Sequence, residues 1–354
     1  MKNLKKDKIV IICFGFQKSV LRSQPWFSVD KICKNFYSKK YDVYFITDSK
    51  KKFLYDFKII NLNKLFNIGS PSLELKKTIF TIKPKKIIIL TGSQAFLFPS
   101  RFSCFKNLTF IIGNNRFSIK EISRVFFLNF FKEFNLLSKP VFTSLIPGFI
   151  LKTGFKFIGT KNIIYLSKAA QIRYKKIGLP SGKVFIPFKK TNSKKEKFLP
   201  NPNKKILLTY FGPPLYLRGL DIVFNAFEKL ANNMGNLYLN LLIRNNKEDY
   251  LKKNMIDLKH KILISKFKKN IILDTNYYSP KQLILKIKKS SINILPFKVT
   301  ISDTPIVIDE AIKTKIPLFV LNTPGITENV IKTNSYVCED EKDLINKLEK
   351  FLGY

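Results

Sequence analysis

Short, continuously apolar runs alternate along this chain with segments of helical periodicity. The run Ile9-Val10-Ile11-Ile12-Cys13-Phe14 has no charged position and predicts a strand buried on both faces. Residues 27–37 carry a helical pattern, and further strands are expected at 41–47, 86–91 and 108–112. Buried strands separated by helices predict a parallel sheet covered on both sides. The rhythm stops at 188–204, a Lys/Ser/Asn-rich stretch punctuated by Pro200 and Pro202 and preceded by Pro187, which reads as a linker. It then restarts, with strands at 206–211, 237–243, 271–273, 292–296 and 317–321. Helices are expected over 220–230, from Ser279-Pro280 onward, and over 305–314. The expectation is an α/β protein of two Rossmann-like domains, 1–187 and 205–354, joined by the linker 188–204.

Charge changes the picture of what such a protein meets. Sixty-four Lys and Arg against 24 Asp and Glu give a formal charge of +40, which suggests a polyanion or an anionic surface as partner. Only seven of the 64 basic residues are Arg. Nucleic-acid readers favour Arg for bidentate contacts, so the Lys bias weakens that reading, and a Lys-, Phe-, Ile- and Asn-rich alphabet is also what A+T-rich codons produce. The excess is uneven: residues 1–187 carry a net +27 and residues 188–354 a net +13, mainly because the first part lacks acids.

Other chemistry is narrowed by what the residues can do. The four Cys, at 13, 33, 104 and 338, show no metal-site or disulfide spacing. The single histidine, His260, lies in a polar run and reads as a surface residue. No stretch reaches the length of a membrane span, and the apolar run after the basic N-terminus reads as a first strand rather than a signal peptide. A cytoplasmic protein that attaches to the inner face of a membrane is the resulting expectation. Ser118-Ile119-Lys120-Glu121 has the form of a capping box. After it come Phe126, Phe127, Phe130, Phe131 and Phe134, then Lys139, Phe149, Ile150, Lys152, Phe155, Lys156 and Phe157; the basic and aromatic residues together would suit an anionic bilayer, while the Phe positions by themselves read rather as the core face of a helix.

Three loops carry the candidate site. Gly212-Pro213-Pro214-Leu215-Tyr216-Leu217-Arg218-Gly219 follows a strand and opens a helix. Gly212 allows a sharp turn, and Arg218 stands where a diphosphate would meet helix N–H groups. Ser302-Asp303-Thr304-Pro305 leads into a helix bearing Glu310, with Asp303 or Thr304 as N-cap and Pro305 at the first helical position. Thr323-Pro324-Gly325 is a turn after the last strand. Taken singly, each is readable as an ordinary βα connection.

Together, in this order and with Leu295-Pro296-Phe297 and Asp309-Glu310-Ala311, these segments resemble the donor-binding domain of family 4 glycosyltransferases over residues 206–331. The first part, with Tyr41-Asp42-Val43 and Ile177-Gly178-Leu179-Pro180, is similar more loosely. The resemblance implies a GT-B fold, two Rossmann-like domains facing a central cleft, and a retaining, metal-independent, hexosyltransferase-like enzyme. It would transfer a sugar from a nucleotide-diphosphate donor to a glycan or lipid-linked acceptor at the cytoplasmic membrane face. It implies no cofactor, no specific nucleic acid, and an anionic membrane surface as partner. Arg218 and Glu310 would be the catalytic pair, Arg218 on the donor pyrophosphate and Glu310 on the ribose. Gly212, Gly219, Ser302, Asp303, Thr304 and Pro305 would line the donor site. Ser302 stands where the family's motif has its first Glu, and the family's frequent first-domain histidine is absent; both motivate the alternative of a non-catalytic nucleotide-sugar or glycan-binding protein on the same scaffold.

Overall fold

The computed structural model describes residues 6–16, 21, 23–39, 41–49, 57–127, 130–188, 204–244, 249–301 and 305–353. In chain order the first elements are β1 (Lys8–Ile12), α1 (Trp26–Ser38), β2 (Asp42–Thr47), β3 (Lys58–Asn61), α2 (Leu73–Ile82), β4 (Lys86–Thr91) and β5 (Leu108–Ile112). Next come α3 (Ile119–Phe127), α4 (Phe134–Leu145), α5 (Gly148–Ile158), β6 (Asn162–Tyr165), α6 (Lys168–Lys176) and β7 (Lys183–Val184). The later part holds β8 (Ile206–Gly212), α7 (Leu220–Ala231), β9 (Leu237–Ile243), α8 (Asp249–Ile264), β10 (Ile271–Asp274) and α9 (Pro280–Ile287). It closes with β11 (Ile292–Ile294), α10 (Ile306–Thr314), β12 (Leu318–Leu321), α11 (Thr327–Val330), β13 (Ser335–Cys338) and α12 (Glu341–Leu352). The expected linker, 188–204, lies almost wholly outside the described residues.

The described residues fall into two compact units: unit 1 within 1–116 and 139–188, with Ile301, and unit 2 within 117–138, 204–300 and 305–353. Thus 117–138, which precedes the linker in the chain, packs with unit 2.

Unit 1 is a seven-stranded, all-parallel sheet in the order β3-β2-β1-β4-β5-β6-β7. Its central strands carry unbroken apolar runs, as at 9–12, 87–90 and 110–112, because both faces are covered. Val10, Ile12, Ile87, Ile89, Phe110 and Ile112 face one core, while Ile9, Ile11, Ile88, Leu90 and Ile111 face the other. This alternation follows from the period-2 geometry of a strand.

Unit 2 repeats the plan with six parallel strands in the order β10-β9-β8-β11-β12-β13. Its core gathers Leu208, Tyr210, Leu239, Leu241, Ile292, Ile294, Phe319 and the inner face of α7. In each sheet the first strand sits beside the fourth (β1 by β4, β8 by β11), so successive connections run away from that pair in opposite directions. This is the doubly wound arrangement, and ligands bind such sheets outside the carboxyl ends of that central pair.

Local signals place several boundaries. The Ser118–Glu121 capping box forms, with Ser118 N–H donating to Glu121 Oε2 at 2.8 Å and Glu121 N–H donating to Ser118 Oγ at 3.3 Å. Ser279 and Gln282 make a second box at the start of α9, with Pro280 in its first turn. α10 begins one residue later than expected, since Pro305 is its N-cap and Ile306 its first residue. Proline lacks a donor and its φ is fixed, so it serves either position with little cost.

Candidate functional site

The carboxyl edge of β8 and β11 brings the sequence-predicted loops of unit 2 together. β8 ends at Gly212, whose φ is +133°, and a Cβ there would lie 2.8 Å from Nη1 of Arg218. Residues 216–218 form a single 3-10 turn, and Gly219, at φ +73°, is the N-cap of α7. A Cβ on Gly219 would lie 2.1 Å from the Pro296 carbonyl oxygen, so only glycine allows this turn to close on the β11 loop. The Arg218 guanidinium sits 5.1 Å from the centre of the Phe297 ring.

The loops are tied by hydrogen bonds as well as by packing. Lys298 N–H donates to Leu217 O at 2.9 Å. Thr323 Oγ1 donates to Phe297 O at 2.5 Å, and Thr300 Oγ1 to Pro324 O at 3.2 Å. The turn at Thr323-Pro324-Gly325 therefore braces the β11 loop, which braces the Arg218 turn. Ser302, Asp303 and Thr304 lie outside the described residues. Pro305 caps α10, and Glu310 is buried in its second turn. Its neighbour Asp309 is also buried and pairs with Lys313 one turn on. Gly212, Arg218 and Gly219 thus stand together at the switch point of the sheet, and Pro305 and Glu310 lie on the helix that follows β11. The N-termini of α7 and α10 start from the same edge.

Three residues at this edge were not legible as site residues in the sequence. Lys298 is buried, and its Nζ lies 2.5 Å from the Asp221 carboxylate in the first turn of α7. It therefore neutralises Asp221 beside the loop. Glu133, in the segment 117–138, reaches the Arg218 turn itself. Its carboxylate accepts from Tyr216 N–H at 2.6 Å, Leu217 N–H at 3.0 Å and Asn254 Nδ2 at 3.1 Å. Burial pushes the Glu133 carboxyl above the ordinary glutamate value, while the two backbone N–H groups and Asn254 oppose the shift. Arg244 follows β9, and its N–H donates to Gly212 O at 3.1 Å, so a second arginine flanks the glycine. Its guanidinium stands 5.7 Å from the Tyr277 ring centre.

Chemically this edge is built for an anion. It combines guanidinium groups, two helix N-termini and glycines that let a ligand approach the backbone. His260 is exposed on α8, as the sequence suggested. Of the four cysteines, Cys13, Cys33 and Cys338 are buried and Cys104 is exposed, and all are free.

Unit 1 presents a different surface. Phe142, Leu145, Phe149, Ile150 and Phe157 on α4 and α5 are exposed, Phe149 by 70% and Phe157 by 73%. Lys139, Lys152 and Lys156 are exposed among them. Phe155, grouped with them on sequence, is instead core: it packs edge-on to Phe96 with centroids 5.1 Å apart, because Leu151, Gly154, Phe155 and Ile158 form the buried stripe of α5. The side chains of Phe126, Phe127, Phe130 and Phe131 lie outside the described residues. Among the described residues no single helix is long and apolar enough to cross a membrane, and α4 and α5, which together pass that test, are bent by 85°.

No family model matches this chain, and no curated protein matches it. Solved structures do. The E. coli trehalose-6-phosphate structure with bound UDP-2-fluoro glucose aligns with TM-score 0.64 at 9% identity, over 98% of this chain and 91% of that one. A glycosyltransferase from Rickettsia africae ESF-5 aligns at 0.60 and 12% identity, over 98% and 88%. WaaG, a glycosyltransferase involved in lipopolysaccharide biosynthesis, aligns at 0.58 and 12% identity, over 98% and 90%. These alignments run almost the whole length of both chains, so the two-unit α/β fold is the GT-B fold of those proteins.

Proposed function

We propose that this chain, a GT-B fold with an anion-binding edge on unit 2, is a glycosyltransferase that moves a sugar from a nucleotide-diphosphate donor to a glycan or lipid-linked acceptor. The observation that carries the reading is Arg218, held beside Gly212 at the switch point of β8 and β11, with Glu310 buried in the second turn of α10. In this reading the pyrophosphate lies along the Gly212–Gly219 loop, and Glu310 takes the ribose hydroxyls. As the bond from sugar to diphosphate breaks, negative charge grows on the departing phosphate. Arg218 and the α7 and α10 N-termini are already oriented to meet it, which lowers the barrier without reorganisation. The reaction is proposed to proceed with retention, and this charge stabilisation needs no metal ion. The proteins aligned above include one holding a UDP-sugar analogue and one serving lipopolysaccharide biosynthesis, which supports both the donor class and an acceptor at a membrane.

The exposed aromatic and lysine residues of α4 and α5 support a site of action on the cytoplasmic membrane face, where Phe side chains enter the headgroup region and lysines meet anionic lipid. Titration with a panel of nucleotide sugars, read by thermal shift and calorimetry, tests the central claim. Arg218→Ala and Glu310→Gln are each expected to weaken donor binding about 10- to 100-fold, the range of a lost charge-assisted hydrogen bond. Unchanged binding in both variants refutes the assignment.

A further inference from the structure

We infer that Lys298 is a positioning residue for the anion at the unit 2 edge: it acts through Asp221, cancelling a carboxylate charge that would otherwise oppose a diphosphate at the start of α7. The inference rests on the donor reading above. α7 starts without a side-chain cap. Gly219 is its N-cap, and Asp221 is the acid in its first turn. An aspartate there ordinarily serves the free helix N–H groups and the positive end of the helix dipole. Asp221 instead turns Oδ2 to Lys298 Nζ at 2.5 Å, and its buried Oδ1 has no hydrogen-bond partner among the described residues.

The Lys298 side chain is 6% exposed and that of Asp221 20%. A buried ion pair loses in desolvation about what it gains in attraction, so an apolar pair of similar volume would hold these loops as well. Charge at the loop explains the pair better than stability does. The placement of Lys298 does not depend on its ammonium. Its backbone N–H donates to Leu217 O at 2.9 Å, and the preceding Phe297 has its ring centre 5.1 Å from the Arg218 guanidinium. Lys298 therefore leaves the β11 loop directly beside the Arg218 turn.

Two carboxylates lie close beneath this turn, Asp221 and Glu133. Their charges reach the same ground as Arg218. Burial raises the pKa of the Tyr210 hydroxyl, Arg218 opposes the rise, and Glu133 and Asp221 add to it. The Glu133 carboxyl, raised by burial, is in turn drawn down in part by the Lys298 ammonium. Asp221, Glu133, Arg218 and Lys298 thus share one region of low dielectric, where an unbalanced charge acts strongly. With Lys298 in place two cations meet two carboxylates, and the uncapped end of α7 keeps its positive potential for a ligand. Without it, two carboxylates would face one arginine, and a diphosphate arriving at Arg218 would be repelled.

The test is a double-mutant cycle on the full chain: native, Lys298→Met, Asp221→Asn and the two together, each titrated with UDP, GDP and ADP by calorimetry. Lys298→Met keeps the backbone bond to Leu217 O and leaves the Asp221 charge uncompensated. Nucleoside diphosphate affinity is expected to fall at least about ten-fold in Lys298→Met and to stay level or rise in Asp221→Asn. In the double variant it should return to within about three-fold of native. A lysine that touched the donor itself, or only held the loop, would leave the double variant as weak as Lys298→Met. That result, native affinity in Lys298→Met, or a loss in Asp221→Asn overturns the proposal. If Lys298→Met does not fold, the other two variants decide: weakened binding in either overturns it, and near-native binding in both upholds it. If the native chain binds none of the three nucleotides, the transferase reading fails and takes this inference with it. Binding by the native chain with no rescue in the cycle overturns the role of Lys298 alone.

Discussion

Glu133→Ala removes one carboxylate and leaves three donors behind it. Leu217 N–H and Asn254 Nδ2 are buried, whereas Tyr216 N–H is half-buried and can recover water. Each buried donor left unmade costs about 1–3 kcal/mol, and removing one partner of a buried charged network about 3–5 kcal/mol. The desolvation that raises the Glu133 pKa works against the full upper value, because deleting the carboxyl also relieves that penalty. The expected loss is therefore about 3 kcal/mol for Ala. For Gln, which keeps one acceptor oxygen and turns an NH₂ toward a donor, it is about 1–2 kcal/mol. Local hydrogen exchange is the suitable assay, read by mass spectrometry on peptides spanning 215–221. Three kcal/mol corresponds to about 150-fold faster exchange where opening of this turn governs it. The turn carries Arg218, so donor affinity should fall in the same order, native above Gln above Ala. Equal exchange of the 215–221 peptides in all three proteins refutes the idea that Glu133 is the foundation of this loop.

Gly219→Ala should destabilise the chain by more than the roughly 1–2 kcal/mol of a left-handed non-glycine residue, because its Cβ also meets the Pro296 carbonyl; urea denaturation monitored by circular dichroism measures it. Phe149→Ser with Phe157→Ser should reduce retention on phosphatidylglycerol vesicles with little change in melting temperature, since both rings are solvent-exposed. Equal retention would remove α5 from the membrane reading. The hydrogen bond from Lys132 holds Asp257 below the ordinary aspartate range. A carboxylate with a depressed folded-state pKa contributes stability above its unfolded pKa and loses it as pH falls through the folded one. Asp257→Asn should therefore flatten the acid limb of a stability–pH curve below about pH 4 and leave its neutral limb shallow.

Much of the architecture was legible because parallel strands buried on both faces leave an unbroken apolar signature, as in 9–12 and 86–91. The edge strands β3 and β13 were not, since each is only four residues long and polar Lys58, Asn61 and Ser335 at their ends leave only two or three apolar positions. Gly212, Arg218 and Gly219 were legible because one loop supplies all three. Glu133 was not: it is 83 residues from the Tyr216 amide it binds, and nothing local marks a lone Glu in a Phe-rich segment as a loop anchor. Lys298 directly follows the Leu295-Pro296-Phe297 segment, but its pairing with Asp221 spans 77 residues. The mistaken grouping of Phe155 with Phe149 and Phe157 was a matter of helical phase. Leu151, Phe155 and Ile158 fall at helical spacing, and Phe149 and Phe157 fall off it.

The affiliation of 117–138 with unit 2 has a consequence for how this chain can be divided. A fragment beginning after the linker would contain the whole six-stranded sheet, Arg218 and Glu310, yet lack the carboxylate on which the Arg218 turn rests. The chain is thus interlaced rather than modular, and hybrids made by exchanging its later half with that of another GT-B protein would inherit a loop without its anchor. Supplying 117–138 as a separate peptide, or fusing it ahead of residue 204, is the way to make that half self-sufficient.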